Sequence, residues 1–458
     1  MEQITKPHCG ARLDRLPDCR WHSSMFAIVP FGLLVCWSNA VGGLILAQLK
    51  ALGWTDNSTT ATFSAITTAG MFLGALVGGI IGDKTGRRNA FILYEAIHIA
   101  SMVVGAFSPN MDFLIACRFV MGVGLGALLV TLFAGFTEYM PGRNRGTWSS
   151  RVSFIGNWSY PLCSLIAMGL TALISAEWNW RVQLLIPAIL SLIATALAWR
   201  YFPESPRWLE SRGRYQEAEK VMRSIEEGVI RQTGKPLPPV VIADDGKAPQ
   251  AVPYSALLTG VLLKRVILGS CVLIAMNVVQ YTLINWLPTI FMTQGINLKD
   301  SIVLNTMSMF GAPFGIFIAM LVMDKIPRKT MGVGLLILIA VLGYIYSLQT
   351  SMLLITLIGF FLITFVYMYV CYASAVYVPE IWPTEAKLRG SGLANAVGRI
   401  SGIAAPYAVA VLLSSYGVTG VFILLGAVSI VVAIAIATIG IETKGVSVES
   451  LSIDAVAR

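Results

Sequence analysis

Arg399 stands in an otherwise apolar stretch behind Ser391 and Asn395, the three spaced i, i+4, i+8. Those intervals put them on one face of a helix. A guanidinium stays protonated at any accessible pH and matches a carboxylate with two parallel hydrogen bonds. When buried it needs a partner. The apolar stretches of this chain hold one clear acidic side chain, Glu95, so a bound molecule must bring the negative group. The chemistry expected of Arg399 is reversible pairing with an organic anion, such as a sugar acid or another carboxylate; backbone carbonyls and water at a helix contact are the alternative partners. Arg118 is the other arginine in an apolar stretch. Glu95 and His98 lie at i, i+3 on one helix face and form a candidate proton carrier. Otherwise the two bond each other, or Glu95 reaches for the aqueous boundary.

Neutral polar residues repeat at helical intervals in other apolar stretches. Asn277, Tyr281 and Asn285 stand at i, i+4, i+8, with Gln280 alongside. Ser153, Asn157, Tyr160 and Ser164 form a second stripe, Ser38 and Asn39 sit near the middle of the first apolar run, and Tyr369 and Tyr372 share another. In hydrocarbon such groups turn toward a protein interior. Each is a candidate ligand for the polar body of a small molecule, or equally one partner of an interhelical hydrogen bond.

The elements that carry these residues follow from composition. Of 458 residues 56% are hydrophobic and 12% charged, against roughly 45–50% and about 25% in soluble domains. Despite a net charge of +9, this excludes a water-soluble enzyme or nucleic-acid binder. Apolar runs of about 20 residues span a bilayer core as helices. Twelve such runs are read, numbered α1 to α12: 25–49, 58–82, 89–107, 111–135, 150–174, 181–201, 266–291, 301–323, 331–349, 353–377, 391–413 and 418–440. Of 33 lysines and arginines, three (Lys50, Arg181, Lys299) fall on the side opposite the termini and two (Arg118, Arg399) within spans, so both termini are expected in the cytoplasm. The first apolar run is too long for the core of a cleavable signal. Seven cysteines without a C-x-x-C pair, and three histidines, support neither a disulfide framework nor a metal site. The glycines of Arg118–Gly126 lie within a span with no strand before them, so close helix packing explains them better than a dinucleotide loop.

The boundaries expected are a cytoplasmic tail at 1–24, a six-helix bundle at 25–201, a cytoplasmic helical loop and linker at 202–262, a second bundle at 263–440, and a tail at 441–458. The halves repeat each other. Asp83-Lys84 between α2 and α3 corresponds to Asp324-Lys325 between α8 and α9. Glu138 with Arg145 after α4 corresponds to Glu380 with Arg389 after α10, and Glu204 after α6 to Glu442 after α12. This is a duplicated six-helix unit.

Four motifs then make a specific resemblance: G-x-x-x-D-K-x-G-R-R at Gly79–Arg88, R-x-x-x-G-x-G-x-G at Arg118–Gly126, P-E-S-P-R-W-L at Pro203–Leu209 and P-E-x-x-P-T at Pro379–Thr384. The chain resembles major facilitator superfamily transporters, in the branch of sugar porters and synaptic-vesicle-like metabolite carriers, and most of all bacterial inner-membrane metabolite transporters. The resemblance implies an all-α fold of two pseudo-symmetric bundles with a substrate site near the midplane, lined by α1, α4, α5, α7, α8, α10 and α11. It implies a monomer in the inner membrane with a small-molecule substrate, no cofactor, no nucleic acid and no enzymatic step. It also implies a cytoplasmic latch. Asp83 would face the N-terminus of α11 and Asp324 that of α5; Glu138 and Glu204 would pair with Arg88 and Arg145, and Glu380 and Glu442 with Arg328 and Arg389. Arg87 and Arg207 belong to the same motifs, and the resemblance implies that Arg118 packs or gates rather than touching the ligand. Such contacts would form as the cytoplasmic ends close. The sugar porters' paired glutamines in α7 are replaced by Ala275-Met276, and the acids often found in α1 and after the α4 glycines by Trp37-Ser38-Asn39 and Ala127-Leu128. The expected activity is secondary transport by alternating access, with proton symport, uncoupled facilitation, export and a neutral sugar or polyol cargo as open alternatives, and a non-transporting receptor as a remote one.

Overall fold

The computed structural model describes residues 7–17, 29–139, 153–201, 203–240, 253–323, 325–383 and 386–443. Within them the spanning helices are α1 (Val29–Ala51), α2 (Asn57–Thr85), α3 (Arg87–Ala106), α4 (Met111–Tyr139), α5 (Ser159–Leu173), α6 (Ala176–Tyr201), α7 (Gly260–Thr293) and α9 (Arg328–Ser347). α8 is built of Leu298–Met309 and Gly311–Val322. α10 begins as Met352–Val370, loosens into a π-helix at Cys371–Tyr377 and ends at Glu380. The last two expected spans run on as Lys387–Ile439, broken only at Gly417, whose φ of 64° lets the chain turn from α11 into α12 without a loop. α5 is shorter than expected at its cytoplasmic end, where a turn at Trp158 separates 153–157 from the main helix.

Glycines set the closest approaches inside the first bundle. A Cβ on Gly70 or Gly74 of α2 would run into the backbone of Phe119 or Val123 of α4, and one on Gly126 of α4 into Met71 of α2. The glycine motif after Arg118 is therefore a packing seam.

The α2–α3 and α8–α9 turns are each fastened within their own bundle. Gly86 turns the chain from α2 to α3 with φ 97°, and the Glu204 carboxylate fills the space a Cβ would take. Glu204 accepts from the backbone N–H groups of Arg87 (2.8 Å) and Arg88 (3.2 Å), a negative group on the positive end of α3. Glu442 repeats this for α9, accepting from Arg328 (2.8 Å) and Lys329 (3.1 Å). Gly86→Ala is expected to lose about 2 kcal/mol, from a strained φ and a displaced cap together, read as a lower melting temperature of the detergent-solubilised protein.

Between the halves, Pro206–Ser211 and Tyr215–Thr233 form two helices outside the spans. A short tail helix, Cys9–Asp14, packs on them through Cys9, Leu13 and Leu16 against Trp208, Met222 and Ile225. Arg12 pairs with Glu219 and Glu226, and Arg15 with Glu226. Burial would raise the Glu226 carboxyl, yet these two guanidinium groups hold it below its ordinary range.

Candidate functional site

Four spans meet around Tyr367 of α10. Its ring lies 5.3 Å from that of Tyr160 of α5. Its hydroxyl stands beside Tyr160 and Gln280 of α7 yet has no partner in hydrogen-bond geometry. Cys36 of α1 and Tyr281 of α7 lie within electrostatic range of the same two phenols. Of this cluster Tyr160, Gln280 and Tyr281 were legible as stripe members. Tyr367 was not, because it lies two residues before Tyr369 and so on another face of α10.

The α7 stripe runs outward from α11 to α1. Asn277 donates to Leu273 O at 2.7 Å, and Gly398 of α11 lies against its amide. One turn on, the Tyr281 ring meets Gly402 of α11, which also touches the Thr68 methyl of α2. Asn285, buried, reaches the seam with Gly42 of α1. Asn157 and Asn395 likewise donate to the carbonyls of Ser153 (2.7 Å) and Ser391 (2.9 Å), four residues back. Each amide is held by its own helix, and its carbonyl oxygen is left to accept from a hydroxyl.

Arg399 is half-buried on α11 beside Gly398. Its Nη1 is shut off from solvent and has no hydrogen-bond partner. Among the described residues no carboxylate pairs with it. Glu95, the acidic residue of the spans, is occupied elsewhere: it and His98 are fully buried on α3, 3.4 Å apart, with Glu95 Oε1 and His98 Nε2 unbonded. Of the two alternatives to a proton carrier, Glu95 does not reach the aqueous boundary, because α3 packs on α4 there and Gly124 lies against His98.

Three further expectations need correction. Ser38 turns its hydroxyl to Met102 of α3 at 3.4 Å rather than toward α7; Asn39 beside it is half-buried. Tyr372 is wholly buried with its hydroxyl against Gly332 of α9, stacked 5.0 Å from Tyr377. Its ring lies 5.7 Å from that of Tyr369, so the two keep the shared face expected of them, but that face packs on Val272 of α7 and Gly332 of α9. The latch is the third. Asp83 is exposed and accepts from Arg87 of its own bundle at 2.6 Å, while its backbone carbonyl accepts from Trp208 and Arg212. Arg328 does pair with Glu380, as expected, at 3.0 Å, but both belong to the second bundle; Arg207 pairs with Asp14 of the tail helix, and Arg389 lies over the Tyr254 ring. Arg88 is not bound to the Glu204 carboxylate by its guanidinium but donates to Trp199 O. These described contacts join segments of one bundle, or the tail and central segment, so they need not break when the bundles part. Arg145, Asp324 and the Glu138 side chain lie outside the described residues.

The two bundles touch on the outer side. A Cβ on Gly43 of α1 would strike the Ile284 carbonyl of α7, and Asn57 of α2 donates to Ser414 of α11 at 2.9 Å. Asn305 of α8 donates to Ser164 of α5 at 3.0 Å.

Comparison with known proteins agrees with this architecture. Residues 27–455 match the family model described as sugar (and other) transporter. An Escherichia coli (strain K12) protein named for metabolite transport, YdjK, is 99% identical over the whole of both chains. The inner membrane metabolite transport protein YdjE of the same organism is 44% identical over 99% of each. Among solved structures, the partially occluded inward open conformation of the xylose transporter XylE from E. coli superposes with a TM-score of 0.73 at 18% identity, covering 93% of this chain and all of the other.

Proposed function

This chain belongs to the sugar (and other) transporter family of the major facilitator superfamily, multi-pass membrane carriers of metabolites rather than enzymes, and from that premise we propose that its cargo is a small polyhydroxylated organic anion. One observation supports this most: Arg399, whose buried Nη1 has no partner while Glu95 is engaged with His98. A carboxylate on the substrate would supply the missing pair, and its hydroxyls would meet the amide oxygens of Asn277 and Asn285 and the phenols of Tyr160 and Tyr367. Alternating access carries the anion across the cytoplasmic membrane by a monomer of two rocking bundles, with boundaries near those expected from sequence.

A thermal-shift screen of the purified protein against sugar acids and their matching polyols tests the reading. At 100 times its dissociation constant a ligand adds about 2.7 kcal/mol, so one acid is expected to raise the melting temperature by several degrees and its polyol not at all. Stabilisation by polyols alone overturns the anion assignment.

Coupling is assigned to the Glu95–His98 pair, a buried acid–imidazole couple with an open nitrogen and an open oxygen. Glu95→Gln is expected to abolish accumulation driven by an imposed pH gradient while exchange of substrate at equal pH continues. Gradient-driven accumulation that survives the substitution excludes the pair as proton carrier.

A further inference from the structure

We propose that Arg118, rather than serving only to pack α4, is the outer-side ligand for the substrate's acidic group, the counterpart of Arg399 on the inner side. Arg118 is 3% exposed. Its Nη1 donates to the Ser38 carbonyl at 3.2 Å and to Met121 Sδ at 3.3 Å, its carbon end lies 4.7 Å from the Phe63 ring centroid, and its Nε has no partner. Among the described residues no carboxylate pairs with it. A carbonyl, a thioether and a ring are weak substitutes for an anion at a permanently charged group.

The position of this charge gives it a use. The space a Cβ of Gly42 would fill lies 2.7 Å from Arg118 Nη2 and 3.7 Å from Asn285 Oδ1, so the guanidinium reaches the seam between α1 and α7. Gly43, the next residue, is where those helices touch backbone to backbone. Parting α1 from α7 uncovers Arg118 to the outside. From Asn285 the polar stripe of α7 descends through Tyr281 to Asn277, about 12 Å along the axis at 1.5 Å per residue, and ends against Gly398 of α11, the residue before Arg399. Two cations stand at the ends of one hydroxyl-binding ladder. An incoming acid meets Arg118 while the outer seam is open and Arg399 once it is closed. The inference rests on the anion reading.

The test is sided transport of gluconate, with glucitol as neutral control, in proteoliposomes of known orientation. Arg118→Gln is expected to raise the outside KM at least tenfold and the inside KM less than twofold. Arg118→Lys should recover most of the outside affinity. Gly42→Ala, which pushes only on the flexible end of Arg118, should raise the outside KM as well. If Arg118→Gln fails to fold, the lysine and alanine variants decide. Outside and inside KM rising together, or an outside KM unmoved in Gly42→Ala, overturns the proposal. A wild-type protein that takes glucitol in preference to gluconate and every other sugar acid refutes the anion reading instead.

Discussion

Replacing Arg399 with alanine is expected to reduce transport of the acidic substrate by a factor of about 100 to a few thousand. Removing one member of a desolvated charge pair costs about 3–5 kcal/mol, and each 1.4 kcal/mol is tenfold in an affinity. Binding of the acid would therefore fall by more than two decades. Arg399→Lys keeps the charge and loses the planar fork, so a loss nearer tenfold is expected. The pair of variants separates charge from geometry. Initial uptake rates over a range of substrate concentrations, with protein amount matched, provide the check. Equal activity of wild type and Arg399→Ala on every sugar acid would leave Arg399 with no role in the cargo.

The second large effect is expected at Gly43. Its missing Cβ would lie 2.9 Å from the Asn285 carbonyl oxygen and 3.0 Å from the Asn285 Cα, contacts with backbone that no rotamer change relieves. Gly43→Val should leave each bundle intact but hold α1 and α7 apart, so the carrier folds, stays open to the outside and transports at under about a hundredth of the normal rate. Gly74→Val makes the contrast. There the obstructing backbone is Val123, within one bundle, and the expected result is loss of folded protein. Cross-linking of cysteines introduced at Asn57 and Ser414, which are bonded across the outer side, reports closure directly: present in the wild-type background, absent with Gly43→Val. Retention of the cross-link and of transport in Gly43→Val would show that the seam is not a gate.

Much of this was written in the residue order. Apolar length located the spans, and the two-fold recurrence of the Asp-Lys and Glu-Arg motifs revealed the duplication. The α7 stripe was legible because its spacing of four matches the helical period. What periodicity lacks is the identity of the neighbour. Ser38 looked like a cavity residue by depth, yet Met102 of α3 takes its hydroxyl. Tyr367 lies on another face of α10 from the Tyr369–Tyr372 pair, so no polar stripe included it. Local bonds were hidden too. The amides of Asn157, Asn277 and Asn395 all bond back by four residues, an option open to any short polar side chain on a helix. For Glu204 the charge pattern suggested an arginine partner, whereas two backbone N–H groups at the start of α3 take one of its oxygens. The tail helix on Trp208 escaped notice because six residues give no usable periodicity.

Counterflow of labelled sugar acids is the most direct test of an anion carrier with Arg399 at its centre. Proteoliposomes are loaded with an unlabelled sugar acid and diluted into a trace of its labelled form. The account predicts a transient accumulation of label that requires Arg399 and is absent when the matching polyol replaces the acid on both sides. Accumulation with the polyol, and none with any acid, would contradict it.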